Sequence, residues 1–154
     1  RRRQLVLPPF GTGRYAPHGG RINTAAIDNS AGVDTSDHEV NLKILLGRSV
    51  ASGVITRDER NTLLASVTDD VAAHVLSDNY QQNVLLGMAR KLSPALVTVH
   101  QRFMQVLEAS GELDRAIECL QSEKEIAQRE IDGVGLFSPE NAVLVAYVKR
   151  QMLE

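Results

Sequence analysis

The sequence predicts a mainly α fold, an irregular multi-helix assembly preceded by one short strand, on three observations. From Ser36 onward the apolar residues recur at spacings of three and four, the period of a helix with one buried face. Helix starts are marked by Ser-x-x-Glu and Thr-x-x-Glu capping boxes and by Ser-Pro pairs, in which Pro fits the first helical turn. Ahead of them, residues 22–27 have the apolar character of a short buried strand, and the polar residues 28–34 supply a turn.

Taken in order, residues 1–20 are rich in Arg, Pro and Gly and are expected to be irregular. Gly11, Gly13 and Ala16 spell G-x-G-x-x-A, but a dinucleotide loop must follow a strand and open a helix. Pro8 and Pro9 interrupt before it, and Pro17, Gly19 and Gly20 break any helix after it. The first helix is expected over 36–51, opened by the box Ser36/Glu39, with Val40, Ile44 and Leu45 on one side and Gly53 closing it. The second opens with Thr56/Glu59, carries Leu63, Leu64, Val67, Val71 and Val75, and continues or kinks near Thr68 into a run ending before Ser93. Ser93-Pro94 opens the next helix, whose stripe of Leu96, Val99, His100, Phe103, Met104 and Leu107 stops at Gly111. A short helix over 113–120 and one with the box Ser122/Glu125, ending near Gly133, follow. The last starts at Ser138-Pro139, buries Ala142, Val143, Ala146 and Tyr147, and is expected to be still helical where the sequence stops, as in a piece of a larger protein. The spacings between these starts differ, so they form no repeat.

The formal net charge of −2 with interspersed signs leaves no basic stripe for nucleic acid. A single cysteine, Cys119, excludes an intramolecular disulfide and favours a small apolar role in a reducing, cytoplasmic setting. Arg1–Arg3 and the apolar residues 5–7 imitate a signal peptide, but Pro8 ends the run too early. No stretch approaches the ~18 apolar residues of a membrane span.

The joint between strand and helix is where ligand chemistry concentrates. An Asn amide donates and accepts at once and so matches a carboxamide, and a hydroxyl at a helix N-terminus binds a carboxylate with help from the helix dipole. Asn29 and Ser36 stand in those places. The alternative reading is purely structural, with Asn29 in a left-handed turn and Ser36 as a cap.

The run from Asn29 to Val40, NSAGVDTSDHEV, resembles the tail of the nucleotide-binding domain in the large, multidomain bacterial NAD-dependent glutamate dehydrogenases. It is similar, more distantly, to the N-A-G-G-V-x-x-S segment of the small hexameric enzymes, with Ala31 in place of a Gly; Ala25 stands where the large class is expected to have Asp. The late segment GVGLFSPENAVLVAYVKRQM resembles the C-terminal helical region of the large class, so the resemblance covers about Gly19 to the end. It implies a cofactor role, at the nicotinamide end of NAD, for Asn29, and substrate-binding roles for Val33 and Ser36. It further implies that residues 1–35 hold the last strand and ligand loop of a Rossmann-type nucleotide-binding domain and residues 36–154 a C-terminal helical domain.

The parent enzyme would interconvert L-glutamate with 2-oxoglutarate and ammonium. At 154 residues the chain is too short for a complete two-domain dehydrogenase, and the family's catalytic Lys and Asp lie upstream of the resemblance. No catalytic residue is therefore assigned, the isolated chain is expected to be inactive, and Lys43, Lys91, Lys124 and Lys149 are read as solvated. Its partners would be the rest of the same polypeptide and further copies in a homo-oligomer, with no nucleic acid or membrane. A stand-alone helical interaction or regulatory module is the alternative. No metal is expected: around His38, flanked by Asp37 and Glu39, no second His or Cys stands at ligand spacing, and these three are read as orienting the substrate loop. His74 and His100 are expected at the edge of the core.

Overall fold

The computed structural model describes residues 22–153, so expectations for residues 1–20, the G-x-G-x-x-A run included, lie outside the described residues. These residues are mainly helical and contain no strand. The strand expected over 22–27 is replaced by three residues without regular structure and a single turn, α1 (Ala25–Asp28). A strand needs a neighbouring ladder to satisfy its backbone, and none is present among the described residues; the chain closes locally instead, with the Ile27 N–H donating to the Thr24 carbonyl at 3.0 Å.

Two compact units follow, one of Asp28–Asn83 and one in which residues 22–27 group with 84–153. In the first, α2 (Ser30–Ala51) starts six residues earlier than expected and runs unbroken across 35–36. The N–H groups of Gly32 and Val33 donate to the Asn29 carbonyl at 3.0 and 3.3 Å, so Asn29 closes the first turn and Ser36 lies inside the helix. The box expected of Ser36 and Glu39 is thus not formed, because the backbone groups it would cap are already paired within the helix. The Asn29 amide folds over Gly32, where a Cβ would sit 2.7 Å from Asn29 Oδ1 and would move that side chain aside. Beyond Ser52 the chain leaves the helix through Gly53 in the left-handed region at φ +74°.

Helix α3 (Arg57–Ser66) opens with the expected reciprocal box, the Glu59 N–H donating to Thr56 Oγ1 and the Thr56 N–H to Glu59 Oε2 at 2.7 Å. The chain breaks at Val67, close to the expected kink, and resumes as α4 (Thr68–Leu92).

The second unit holds the last turns of α4, a 3-10 turn Ser93–Leu96, α5 (Val97–Ala109), α6 (Glu123–Ile131) and α7 (Ser138–Gln151). Its core joins Val97, Met104, Leu107, Leu113, Ile126, Leu136 and Leu144, with Phe103 and Tyr147 packed at its margin. Ser93 begins this region as expected, but its hydroxyl accepts from the Leu136 N–H at 2.6 Å in the buried interior. At the same place a Cβ on Gly135 would meet the Pro94 nitrogen at 2.5 Å, so the two backbones approach as closely as only glycine permits.

The short helix expected over 113–120 is a series of turns. Asp114 Oδ1 accepts from the Ala116 N–H at 2.8 Å, and Cys119 sits at φ +55°, a conformation that ends any helix; Cys119 is half-buried there. Arg115 fastens the turn, forking onto both Glu108 carboxylate oxygens at 2.8 Å and reaching the Gln121 carbonyl at 3.0 Å. In α7, Ala142 is buried as expected, but Val143 and Tyr147 are only half-buried, Ala146 is exposed and Leu144 takes the core position. The turn before α7 is pinned by Asn141, whose amide donates to the Leu136 and Phe137 carbonyls, and this sets the helix rotation. The helix ends at Gln151.

Candidate functional site

The first half of α2 presents two faces, and the residues of chemical interest divide between them. Asn29, Val33 and Ser36 are spaced by four and three residues, which places them on successive turns of one helix face. That face is open: Asn29 and Ser36 are exposed and Val33 is 55 % exposed. Asn29 occupies the N-cap position without a side-chain cap hydrogen bond, its amide lying over Gly32 instead. The helix therefore brings an amide, a small apolar side chain and a hydroxyl into one stripe near its N-terminus. Anionic groups are favoured at the Asn29 end of the stripe, where the helix dipole is positive, although the Gly32 and Val33 N–H groups are already paired with the Asn29 carbonyl.

The opposite face carries Ser30, Asp34 and His38 against α4. Ser30 Oγ bonds Asn79, His38 Nε2 stands 3.6 Å from Asp34 Oδ1, and the rings of His38 and His74 are 6.3 Å apart. Ligating atoms of Asp34, His38 and Asp78 lie within 4.8 Å of one another, and Asp34 Oδ2 is buried without a hydrogen-bond partner. The donor at helical spacing from His38 is neither a His nor a Cys but Asp34, four residues before it. The readable signal was the pair of mirrored spacings, Asp-x-x-x-His in α2 and His-x-x-x-Asp in α4. Of the neighbours of His38, Glu39 instead pairs with Lys43, which holds the Glu39 carboxyl below its usual range, and the Asp37 carbonyl accepts from Asn41.

The remaining candidates fall elsewhere. His74 is exposed beside His38, whereas His100 in α5 is half-buried, with Nδ1 lacking a partner and burial lowering its pKa. Lys91 and Lys124 are exposed, as expected of solvated side chains. No helix among the described residues is long and apolar enough to cross a membrane.

Comparison with known proteins takes in both of these faces. Residues 5–89, more than half of the chain, match the family described as bacterial NAD-glutamate dehydrogenase, catalytic domain. The match starts well before Gly19, where the resemblance was expected to begin, and continues to within three residues of the end of α4. The chain is 52% identical over 150 residues to the NAD-specific glutamate dehydrogenase of Mycobacterium tuberculosis, covering 97% of this chain and 9% of that protein. It is 47% identical to the enzyme of the same name from Pseudomonas aeruginosa and 45% identical to that of Halomonas elongata, again spanning 9% of each. With a catalytic-domain match over more than half of its residues, and 45% to 52% identity over nearly all of its length to small parts of three such enzymes, the chain belongs to the bacterial NAD-glutamate dehydrogenase family.

Proposed function

We propose that this chain is a C-terminal part of an NAD-dependent glutamate dehydrogenase that interconverts L-glutamate with 2-oxoglutarate and ammonium. The observation that carries this reading is the exposed stripe of Asn29, Val33 and Ser36 at the start of α2, within the stretch that matches the catalytic-domain family. Seven residues of helix separate Asn29 from Ser36, about 10 Å of rise, enough for one end of the stripe to meet the cofactor and the other the substrate.

In this reading the Asn29 amide, unused by the helix cap, donates to and accepts from the nicotinamide carboxamide. Val33 packs on the methylene groups of glutamate, and the Ser36 hydroxyl donates to its side-chain carboxylate. The chemistry supplied by bound NAD is acceptance of hydride from the substrate α-carbon. This chain orients both partners, and the catalytic Lys and Asp belong to other parts of the polypeptide, so the isolated chain should not reduce NAD with glutamate. Residues 1–35 then form the end of the nucleotide-binding domain and residues 36–154 the helical domain, with α2 running through the join. The helical part packs against the rest of a cytoplasmic, homo-oligomeric enzyme.

Ser36→Ala in the full-length enzyme tests the assignment. Losing a hydrogen bond to a charged group costs about 1.5–3 kcal/mol, or roughly 10- to 150-fold in kcat/KM for glutamate. NAD affinity should hold. Because Ser36 lies inside α2 and caps nothing, the stability of the variant should stay within about 0.5 kcal/mol of the parent. Unchanged glutamate kinetics would remove Ser36 from the substrate site, and NAD reduction by the isolated chain would overturn the division of labour.

A further inference from the structure

The inner face of α2 carries an arrangement that the dehydrogenase reading does not use. Asp34 and His38 lie one turn apart on α2, and His74 and Asp78 lie one turn apart on α4, so the two spacings mirror each other. His38 Nε2 and Asp34 Oδ1 are 3.6 Å apart, too long for a hydrogen bond. Two ligands of a tetrahedral zinc ion, each bound at about 2.0–2.2 Å, are separated by roughly 3.3 Å, so the observed spacing is near an edge of that tetrahedron. Asp78 brings its carboxylate within 4.8 Å of both, and the His74 ring is 6.3 Å from that of His38.

Two further observations point to a ligand. Asp34 Oδ2 is itself buried and has no hydrogen-bond partner, in a side chain 28 % exposed, an arrangement that a ligand at that oxygen would relieve. Half-buried Asp34 and exposed Asp78 also bring two carboxylates together, a pairing that a cation between them would stabilise. The bond between Ser30 and Asn79 fastens the two helices one turn away, so the donors are held by more than their own contact.

The geometry points to a divalent transition-metal site of the zinc class that clamps α2 to α4, with Asp34, His38 and Asp78 as ligands and His74 as the fourth after a side-chain rotation. Two imidazoles and two carboxylates form a borderline nitrogen and oxygen donor set, which suits Zn²⁺ and Co²⁺ over Ca²⁺ or Mg²⁺. A cation there braces the turns that carry Asn29, Val33 and Ser36 on the outer face. The site does not depend on the dehydrogenase reading, because its residues and its test are separate from catalysis.

The test uses this chain, untagged, with Zn²⁺ and Co²⁺. Calorimetry should give one Zn²⁺ per chain, Co²⁺ should develop the intense visible absorption of a tetrahedral site, and the imidazole NMR signals of His38 and His74 should shift while that of His100 stays. Asp34→Asn, His38→Gln and Asp78→Asn should each weaken binding at least about 10- to 100-fold, the loss typical of removing even an outer partner of a metal. Asp34→Asn is nearly isosteric, and circular dichroism should show its helix content unchanged. The wild-type NMR shifts locate the ion even if a variant unfolds. Absence of stoichiometric binding by the wild-type chain, binding that survives all three substitutions, or shifts confined to other histidines would each overturn the proposal.

Discussion

The two compact units of this chain invest their apolar residues differently. Residues 84–153 collect seven buried side chains into a core in which Met104, Leu107 and Ile126 are wholly enclosed. In Asp28–Asn83, Val75 is the buried hydrophobic residue, while Val40, Ile44 and Leu45 of α2 remain about half exposed or more. The first unit is therefore held by helix-internal bonds, caps and polar pairs between helices, the second by burial. Binding segments are commonly drawn from the less stable parts of a protein, and the stripe of Asn29, Val33 and Ser36 is on the weakly buried unit.

The sharpest contrast is between two ion pairs. Glu140, 7 % exposed, accepts from Arg129 Nη1 at 2.7 Å and from the Phe137 N–H at 2.7 Å, while Arg129 stacks 4.5 Å over the Phe137 ring. Glu140→Ala leaves that guanidinium buried and unpaired, and urea unfolding should show a loss of about 3–5 kcal/mol. Glu39→Ala, which removes an exposed partner of Lys43, should not move the unfolding midpoint measurably. Similar effects from the two would erase the distinction between the units.

Core truncation comes next. Leu107→Ala should cost about 2–5 kcal/mol, whereas Ile44→Ala, at a side chain 57 % exposed, should change stability by no more than about 0.5 kcal/mol. A large loss at Ile44 in the isolated chain would mean that the α2 stripe is already covered. Ser93→Ala isolates one tertiary hydrogen bond, because it strands the buried Leu136 N–H; about 1–3 kcal/mol is expected. Amide exchange at Leu136 should quicken in the same variant.

The smallest effect is a titration. Burial lowers the pKa of His100, so the folded chain binds its proton less readily than the unfolded chain does. The stability this involves is complete above the unfolded value near about 6.5 and is lost as pH falls through the folded value. The unfolding midpoint should therefore decline below neutral pH, and His100→Gln should flatten that decline. The capping carboxylates Glu59 and Glu125, lowered by hydrogen bonds from Thr56 and Ser122, act in the same direction at more acidic pH, below the ordinary carboxylate value of 4.5. A slope unchanged by His100→Gln would remove His100 as its cause.

Much of the helical plan was readable because its signals are local. Thr56 with Glu59 and Ser122 with Glu125 start helices through bonds that span three residues, and Gly53, Gly111 and Gly133 end them by taking positive φ. Such choices are settled within one turn, so sequence spacing suffices to find them. The residues of the outer stripe were singled out by the family resemblance of the Asn29 to Val40 run, which left Asn29 and Val33 in a turn; that Val33 and Ser36 share one helical face is visible only in the structure.

Where reading failed, the deciding partner lay elsewhere in the chain. Ser36 looks like a cap until the preceding turn is seen to close on Asn29, and residues 22–27 look like a strand until no neighbouring strand is found among the described residues. Ser93 spends its hydroxyl on Leu136, forty-three residues away. Arg115 fixes residues 113–120 as turns by gripping Glu108 and Gln121 from the side. The facing of Asp34 and His38 toward Asp78 likewise exists only once α2 and α4 pack. The sequence by itself determined most of the helical stretches from Thr56 onward and where several of them stop, because backbone hydrogen bonds and caps are satisfied nearby. Only the tertiary structure decided which face of each helix is covered and which polar groups meet, because burial and long-range pairing depend on residues that sequence spacing does not bring together.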